Sequence, residues 1–363
     1  MCIVFLTTAH PDYALIVIDN RDEFILRPTS RPEWWNHPNG TDVLSARDLQ
    51  RSEKGTWMGI TKDGVFAVLT NYRETDVDDA DHPIHAIRSR GGMVTYWLGT
   101  GAKESTAESV QRLVAGGGVK GVGGFSMLCG KLKKNFKTDS GRDIEPIAIV
   151  SNRACDVSHV PFVAQARGEV CALSNACYGD NDEKWPKLDD GKQMLGEIIT
   201  EAIKKNLNEE QLVEKLFGLL DHDRLPRHPG MDLMGYVNEL KHSIFIPPVG
   251  DEVHRKEMEE SKAKGRTGWP SGNGRAAEDP PSPSPSTNGV TTNGTNGNNN
   301  NNMGFAKGMY GTQRQTIILV DWDGQVTFRE RALYDSNGHP LPRGEADLTF
   351  RFTIDGWNDD EDR

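Results

Sequence analysis

Cysteine at position 2 is the residue of this chain best suited to covalent chemistry. It is small enough for routine removal of the initiator methionine, and it would then carry a free α-amine beside its own thiol. A thiolate is the nucleophile, and an α-amine with a pKa near ~8 can take its proton at neutral pH. The polar run Asn20-Arg21-Asp22-Glu23 supplies possible partners. Arg21 could lower the thiol pKa or hold a substrate carboxylate. A plainer account treats Cys2 as a small buried hydrophobe at a strand start and the polar run as a solvated turn. By sequence physics alone, that plainer account of Cys2 is preferred.

To bring Arg21 to Cys2 the chain must fold back between them. Two apolar, β-branched runs, Ile3 to Leu6 and Ala14 to Ile18, flank Ala9-His10-Pro11-Asp12. The pattern predicts a β-hairpin with Cys2 opposite Ile18 or Asn20. Residues 29–54 are polar and turn-rich and read as a surface loop, with Trp34 and Trp35 capping a core. A second hairpin is predicted from Thr56 to Thr61 and Val65 to Thr70, around Asp63-Gly64. It ends in Asn71-Tyr72-Arg73, polar groups at a strand end, where sites tend to sit.

Two short helices are expected next, Gly92 to Leu98 and Ser105 to Val114, the second opened by a Ser105/Glu108 capping box. Strands follow at Phe125 to Gly130, Ile144 to Asn152 and Val170 to Ser174, the last leading into Asn175. Helices from Asp189 to Lys205 and Glu209 to Leu220 carry apolar stripes read as core faces. A short strand is expected at Ser243 to Ile246, and three more at Thr316 to Val320, Val326 to Arg331 and Leu348 to Ile354. No βαβ alternation appears, so the class is α+β, with antiparallel sheets and helices packed outside them.

The 363 residues suffice for a full core. Residues 1–249 and 306–356 read as one discontinuous domain. Between them lies an insertion, 250–305, charged from Asp251 to Arg266 and Pro-, Ser-, Gly- and Asn-rich from Trp269 to Asn302. The latter lacks apolar residues to offset ordering entropy and is expected to be disordered. The acidic tail 357–363 is expected to fray. A net charge of −11 argues against a nucleic-acid or anionic-membrane partner. No run approaches a membrane span and no signal peptide is expected. Five cysteines without a CxxC pair suit a reducing, cytoplasmic compartment. The acidic residues near His82 and His85 read as a solvated loop, not a metal site.

Several motifs together resemble one family. They are Met1-Cys2, Asn20-Arg21-Asp22-Glu23, Arg27-Pro28, Gly55-Thr56-Trp57-Met58-Gly59-Ile60, Thr70-Asn71-Tyr72, Gly123-Gly124-Phe125-Ser126, Leu173-Ser174-Asn175-Ala176, Trp185-Pro186-Lys187 and Tyr310-Gly311-Thr312. In order and spacing the chain is similar to the NRDE proteins, the transport and Golgi organization protein 2 family. The resemblance implies a four-layer αββα sandwich like that of the N-terminal-nucleophile hydrolases. It implies Cys2, Arg21, Asp22, Asn71 and Asn175 as catalytic candidates, the two asparagines as oxyanion donors. Asn20, Glu23, Trp57 and Arg314 are the candidates for substrate binding. Family members carry arginine where this chain has Gln313; Arg314, one residue on, would face the opposite side of a strand unless a bulge restores it.

The same resemblance implies a role in secretory transport and Golgi organisation, and in heme or lipid (acyl-CoA) homeostasis. No cofactor is required, and heme is a candidate ligand, with Cys2, His10, His37, His82 or His85 on the iron. The expected partners are a small molecule (heme, an acyl-CoA or an amide) and secretory-pathway proteins, at the Golgi or mitochondria. The alternative reading is an N-terminal cysteine hydrolase or acyltransferase acting on a C–N amide or thioester bond.

Overall fold

A computed structural model describes residues 2–74, 88–135, 143–154, 156, 158–179, 185–228, 230–267 and 306–358. The chain opens with strands β1 (Ile3–Thr7) and β2 (Tyr13–Phe24), then β3 (Glu33–Asn36), β4 (Asp42–Ser45), β5 (Met58–Thr61) and β6 (Val65–Asn71). Helices α1 (Arg90–Leu98) and α2 (Thr106–Ala115) follow. Next come β7 (Phe125–Lys131), β8 (Lys134–Asn135), β9 (Asp143–Ile144), β10 (Ile147–Ser151), β11 (Phe162–Val163) and β12 (Val170–Leu173). Helices α3 (Pro186–Lys205), α4 (Glu209–Leu220), α5 (Leu233–Glu239) and α6 (Glu252–Lys262) precede β13 (Tyr310–Asp321), β14 (Gln325–Ala332) and β15 (Leu348–Thr353).

Two antiparallel sheets hold most of these strands. One runs β12-β1-β2-β13-β14-β15 and the other β11-β10-β7-β6-β5-β4-β3. Their inner faces meet in a core of Val4, Leu6, Leu15, Val17, Ile60, Phe66, Leu128, Ile318 and others. The alternate residues Ile3, Phe5, Ile16, Ile18, Ile317 and Leu319 pack outward against α3 and α4. On the far side Val65, Ala67, Phe125 and Met127 pack against α1 and α2. The molecule is therefore an αββα sandwich. Each residue of the inner strands points to a core on one side or the other, so these strands read as continuous apolar runs.

Local chemistry explains the element ends. Ser105 and Glu108 cap α2 reciprocally, as expected. The β5–β6 turn needs Gly64, at φ +83°, where a Cβ would lie 2.7 Å from the Leu132 carbonyl oxygen. α3 starts with Pro186 in its first turn and ends on Asn206 in the left-handed region.

Several expectations change. Residues 29–54 are not only a loop: β3 and β4 extend the second sheet there, and Trp34 stands edge-on to Phe352 at 4.9 Å. Residues 243–246 form no strand. Ile3, not Cys2, lies opposite Asn20, and β2 continues through the polar run to Phe24. Pairing with β13 (Asn20 to Gln315, Arg21 to Arg314, Asp22 to Thr312) overrides the turn propensity of those residues. The charged residues after 250 form α6, capped by Asp251, with Met258 buried and His254 stacked on Phe24 at 5.9 Å. Trp357 is buried in the inter-sheet core; 359–363, the low-complexity run, His82 and His85 lie outside the described residues. Strands on either side of that run pair in one sheet.

α3 packs on β1 at Gly191, where a Cβ would overlap the Phe5 ring. Gly191→Ala should therefore destabilise the protein by about 1–3 kcal/mol, outweighing alanine's helix advantage. A urea midpoint that stays put or rises would show that the α3–β1 contact has room to spare.

Candidate functional site

Cys2 sits immediately before β1 and is 7 % exposed. Its carbonyl accepts a hydrogen bond from Ser174 Oγ at 2.8 Å, and that hydroxyl also lies 3.0 Å from Asn175 Oδ1. Asn175 Nδ2 donates to the Asn71 carbonyl at 2.6 Å, Thr70 Oγ1 donates to the Ser174 carbonyl at 2.6 Å, and Arg73 N donates to the Asn175 carbonyl at 2.8 Å. Cys2 and β12 belong to one sheet end and β6 to the other, so these bonds stitch the sheets together beside the thiol. Both predicted asparagines come to this place. Asn71 enters it through its carbonyl, and one amide N–H of Asn175 is used on that carbonyl.

Strand alternation splits the polar run of β2. Asn20 turns toward the helices, where its Nδ2 donates to the carbonyls of Leu220 (2.8 Å) and Ile244 (2.9 Å). Both amide hydrogens are thereby committed to backbone, and Asn20 acts as a structural tie between β2, the end of α4 and the segment after α5. Asp22 shares that side, accepting from Thr312 Oγ1 at 2.7 Å. Arg21 points the other way, between the sheets. Its guanidinium lies 4.1 Å over the Trp57 ring and donates to Gln313 Oε1. Glu23 Oε1 accepts from Phe24 N at 2.9 Å, and Glu23 pairs with Arg27 at 3.7 Å.

The bulge that Arg314 needs is present. Register slips between Thr312 and Arg314, so Gln313 is the extra residue and Arg314 lies opposite Arg21. Arg314 is buried, donates to the carbonyls of Gln313 and Tyr334 at 3.0 Å, and stands 3.9 Å from Glu330. Glu330 in turn pairs with Arg31 at 2.7 Å. Burial pushes the Arg314 guanidinium down to about 9, Glu330 opposing and Arg31 and Arg21 adding.

Burial dominates the electrostatics. It pushes the Cys2 thiol up to about 12, opposed first by the amino-terminal charge, with Asp19 and Asp22 adding and Arg21 opposing more weakly. Asp22 rises to about 6, again by burial, opposed by the amino-terminal charge and Lys187. Lys187 falls to about 8 by burial, against the pull of Asp22 and Cys2. Asp19 is raised well above the carboxylate range by burial and by Asp22. Neither of its oxygens has a hydrogen-bond partner among the described residues. Asp19, Ser174 and Lys187 were not among the site candidates read from the sequence, although Ser174 and Lys187 fall in its motifs. Asp19 ends an apolar strand run, and Lys187 precedes Gly191, Leu195 and Ile199 at helical spacing; these spacings were the available signals.

An αββα sandwich with a cysteine held at the junction of its two inner sheets is the class that fold and site define. The sequence model described as Transport and Golgi organisation 2 matches residues 1–335, and the chain belongs to that family. It is 26 % identical over 362 residues to the human Transport and Golgi organization protein 2 homolog, covering 98 % of this chain and 99 % of that protein. An uncharacterized protein of Saccharomyces cerevisiae is 27 % identical over 355 residues, covering 93 % of each chain. Among solved structures, penicillin V acylase from Agrobacterium tumefaciens aligns with a TM-score of 0.43 and 11 % identity over 97 % of this chain and 86 % of that one. A C2A mutant of the conjugated bile acid hydrolase from Clostridium perfringens aligns with a TM-score of 0.38 and 9 % identity over 98 % of each chain. Among the described residues no helix is long and apolar enough to cross a membrane, and no group of three or more His, Cys, Asp or Glu could hold a metal ion.

Asp22 binds its proton more tightly in the folded chain than its ordinary value of 3.8. Its contribution to stability is therefore greatest below pH 3.8 and is lost as pH rises through about 6. Asp22→Asn keeps the acceptor for Thr312 and should remove that decline. The variant should gain up to about 3 kcal/mol on wild type between pH 4 and 6. Urea melts that stay parallel across that interval would contradict the assignment.

Proposed function

We propose that this chain serves secretory transport and Golgi organisation by handling acyl groups at Cys2. The support for the cellular role is membership of the family named for it. The support for the chemistry is one observation: Cys2 lies at the hydrogen-bonded junction of the two sheets, with Arg21 and Asp19 as charge neighbours. The substrate is an amide or an acyl thioester such as acyl-CoA. The Cys2 sulfur attacks the carbonyl carbon, an S–C bond forms, and the C–N or C–S bond of the substrate breaks. The thiol proton passes to the leaving amine or thiol, and water or a second acceptor then takes the acyl group from Cys2.

A buried thiol at about 12 needs help to ionise. With Met1 removed, the α-amine of Cys2 takes the proton, and Arg21 balances the sulfur charge. The second amide N–H of Asn175 and the side-chain amide of Asn71 meet the developing oxyanion. The ring face of Trp57 turned away from Arg21 receives the apolar part of the substrate, and Arg314 and Glu23 bracket Arg21 along the strands. Asn20 is left out, because both of its amide hydrogens are spent on backbone carbonyls. Heme draws less support. His10 is buried and its Nδ1 accepts from Asp12 N at 3.2 Å, while exposed His37 has Nδ1 2.8 Å from Asn39 Oδ1. On this reading the protein works in the cytoplasm, on the Golgi or mitochondrial surface.

Intact-mass measurement before and after incubation with an acyl thioester tests the proposal. The expected result is a chain lacking Met1 and an acyl adduct that maps to Cys2 and is absent from Cys2→Ser. If no adduct forms, and thioester and amide hydrolysis are the same in Cys2→Ser, the chemistry is wrong. A Soret shift on heme titration at micromolar protein would then make heme the ligand to pursue.

A further inference from the structure

Helix α3 turns a buried stripe toward the sheet: Lys187, Gly191, Leu195, Ile199 and Ala202. Four of these are small or apolar residues that suit a core. The remaining one is a lysine, 1 % exposed, in the first turn of the helix. Gly191 seats α3 on Phe5 of β1. Lys187 lies one turn nearer the helix start on the same face. Gly191 also faces Ile244, whose carbonyl holds Asn20 opposite Ile3, so this part of α3 lies over the start of β1, and Asp22 and Cys2 are the charges that act on Lys187.

The Lys187 Nζ has no hydrogen-bond acceptor among the described residues, and the Trp185 indole N–H, whose ring centre is 5.5 Å away, has none either. An ammonium buried without an acceptor is costly, and leucine or methionine would continue the stripe without that cost. A lysine kept there beside a carboxylate and a thiol is a functional group by position. We propose that Lys187 is a positioning residue of the Cys2 site, a buried counter-charge to Asp22 and to the Cys2 thiolate. The titratable and charged groups around the pair are the amino-terminal charge, Asp22 and Arg21 from β2, Asp19 from the same strand, and Cys2 itself. The proposal rests on the reading of Cys2 as the reactive thiol. It adds that thiolate formation depends on the helix side of the sheet as well as on Arg21.

The full chain is treated with iodoacetamide between pH 6 and 10, and labelling of Cys2 is followed by peptide mass mapping. Lys187→Met should slow Cys2 labelling at pH 8 about tenfold or more, one pK unit being tenfold in thiolate. Lys187→Arg should restore most of the rate, and both variants should keep the wild-type far-ultraviolet circular dichroism. Lys187→Gln replaces the methionine variant if that one does not fold. Equal Cys2 rates in wild type and the neutral variant would overturn the proposal. So would a wild-type Cys2 that takes no label up to pH 10, because no thiolate would then form for Lys187 to face. An acyl adduct on Cys2 with labelling indifferent to position 187 removes Lys187 and leaves the acyl chemistry standing. Lysine-dependent labelling without any acyl adduct does the reverse.

Discussion

The hydrogen bonds that tie the end of β12 to the end of β6 and to the carbonyl of Cys2 are the constraint on which the site depends. Two sheets stacked face to face slide readily, because apolar packing is non-directional. The bonds among Thr70, Ser174, Asn175 and Asn71 are directional, and they join one sheet to the other. They fix the start of β1, and β1 fixes the register of β2. The positions of Arg21 and Asp22 relative to the thiol follow from that register.

A second constraint is electrostatic. The middle of the first sheet carries Asp19, Arg21, Asp22 and Arg314 in buried positions, and α3 adds Lys187. Replacing such groups with packed apolar side chains often raises stability. Here the strands on both sides must hold them, since β2 is laddered to β1 and to β13 through the charged segment. The bulge at Gln313 belongs to the same arrangement. It turns Arg314 to the face of Arg21 and lets Gln313 accept from the Arg21 guanidinium, so two buried cations are spaced by a neutral amide. Glu330 balances Arg314 and Arg31 from the neighbouring strand.

The helices are more than a cover for the sheets. α4 and the segment after α5 supply the carbonyls that hold Asn20, and α3 sets Lys187 against the site. Gly191 is what allows that approach, since any side chain there would meet Phe5. The start of β1 is therefore clamped from both faces, by a sheet on one side and a helix pair on the other.

Much of this was legible in the residues alone. Alternating apolar runs, the Asp63-Gly64 turn, the Ser105 capping box and the stripes of α3 and α4 are local patterns, and local patterns survive in a one-dimensional reading. The motif set from Met1-Cys2 to Tyr310-Gly311-Thr312 carried the family and the layer order. Pairing between distant strands is not local. β3 and β4 look like loop because each is only four residues long and Pro32, Pro38, Asn39 and Gly40 surround them, and Asn20 to Glu23 look like a turn because nothing nearby reveals that β13, some three hundred residues on, will ladder to them. Charge is the clearest case. The sequence by itself determined which ionisable residues the chain owns and on which strand or helix they fall. Only the tertiary structure decided that Asp19, Asp22 and Lys187 lose their water together beside Cys2, because desolvation depends on what packs around a group and not on its neighbours in the chain.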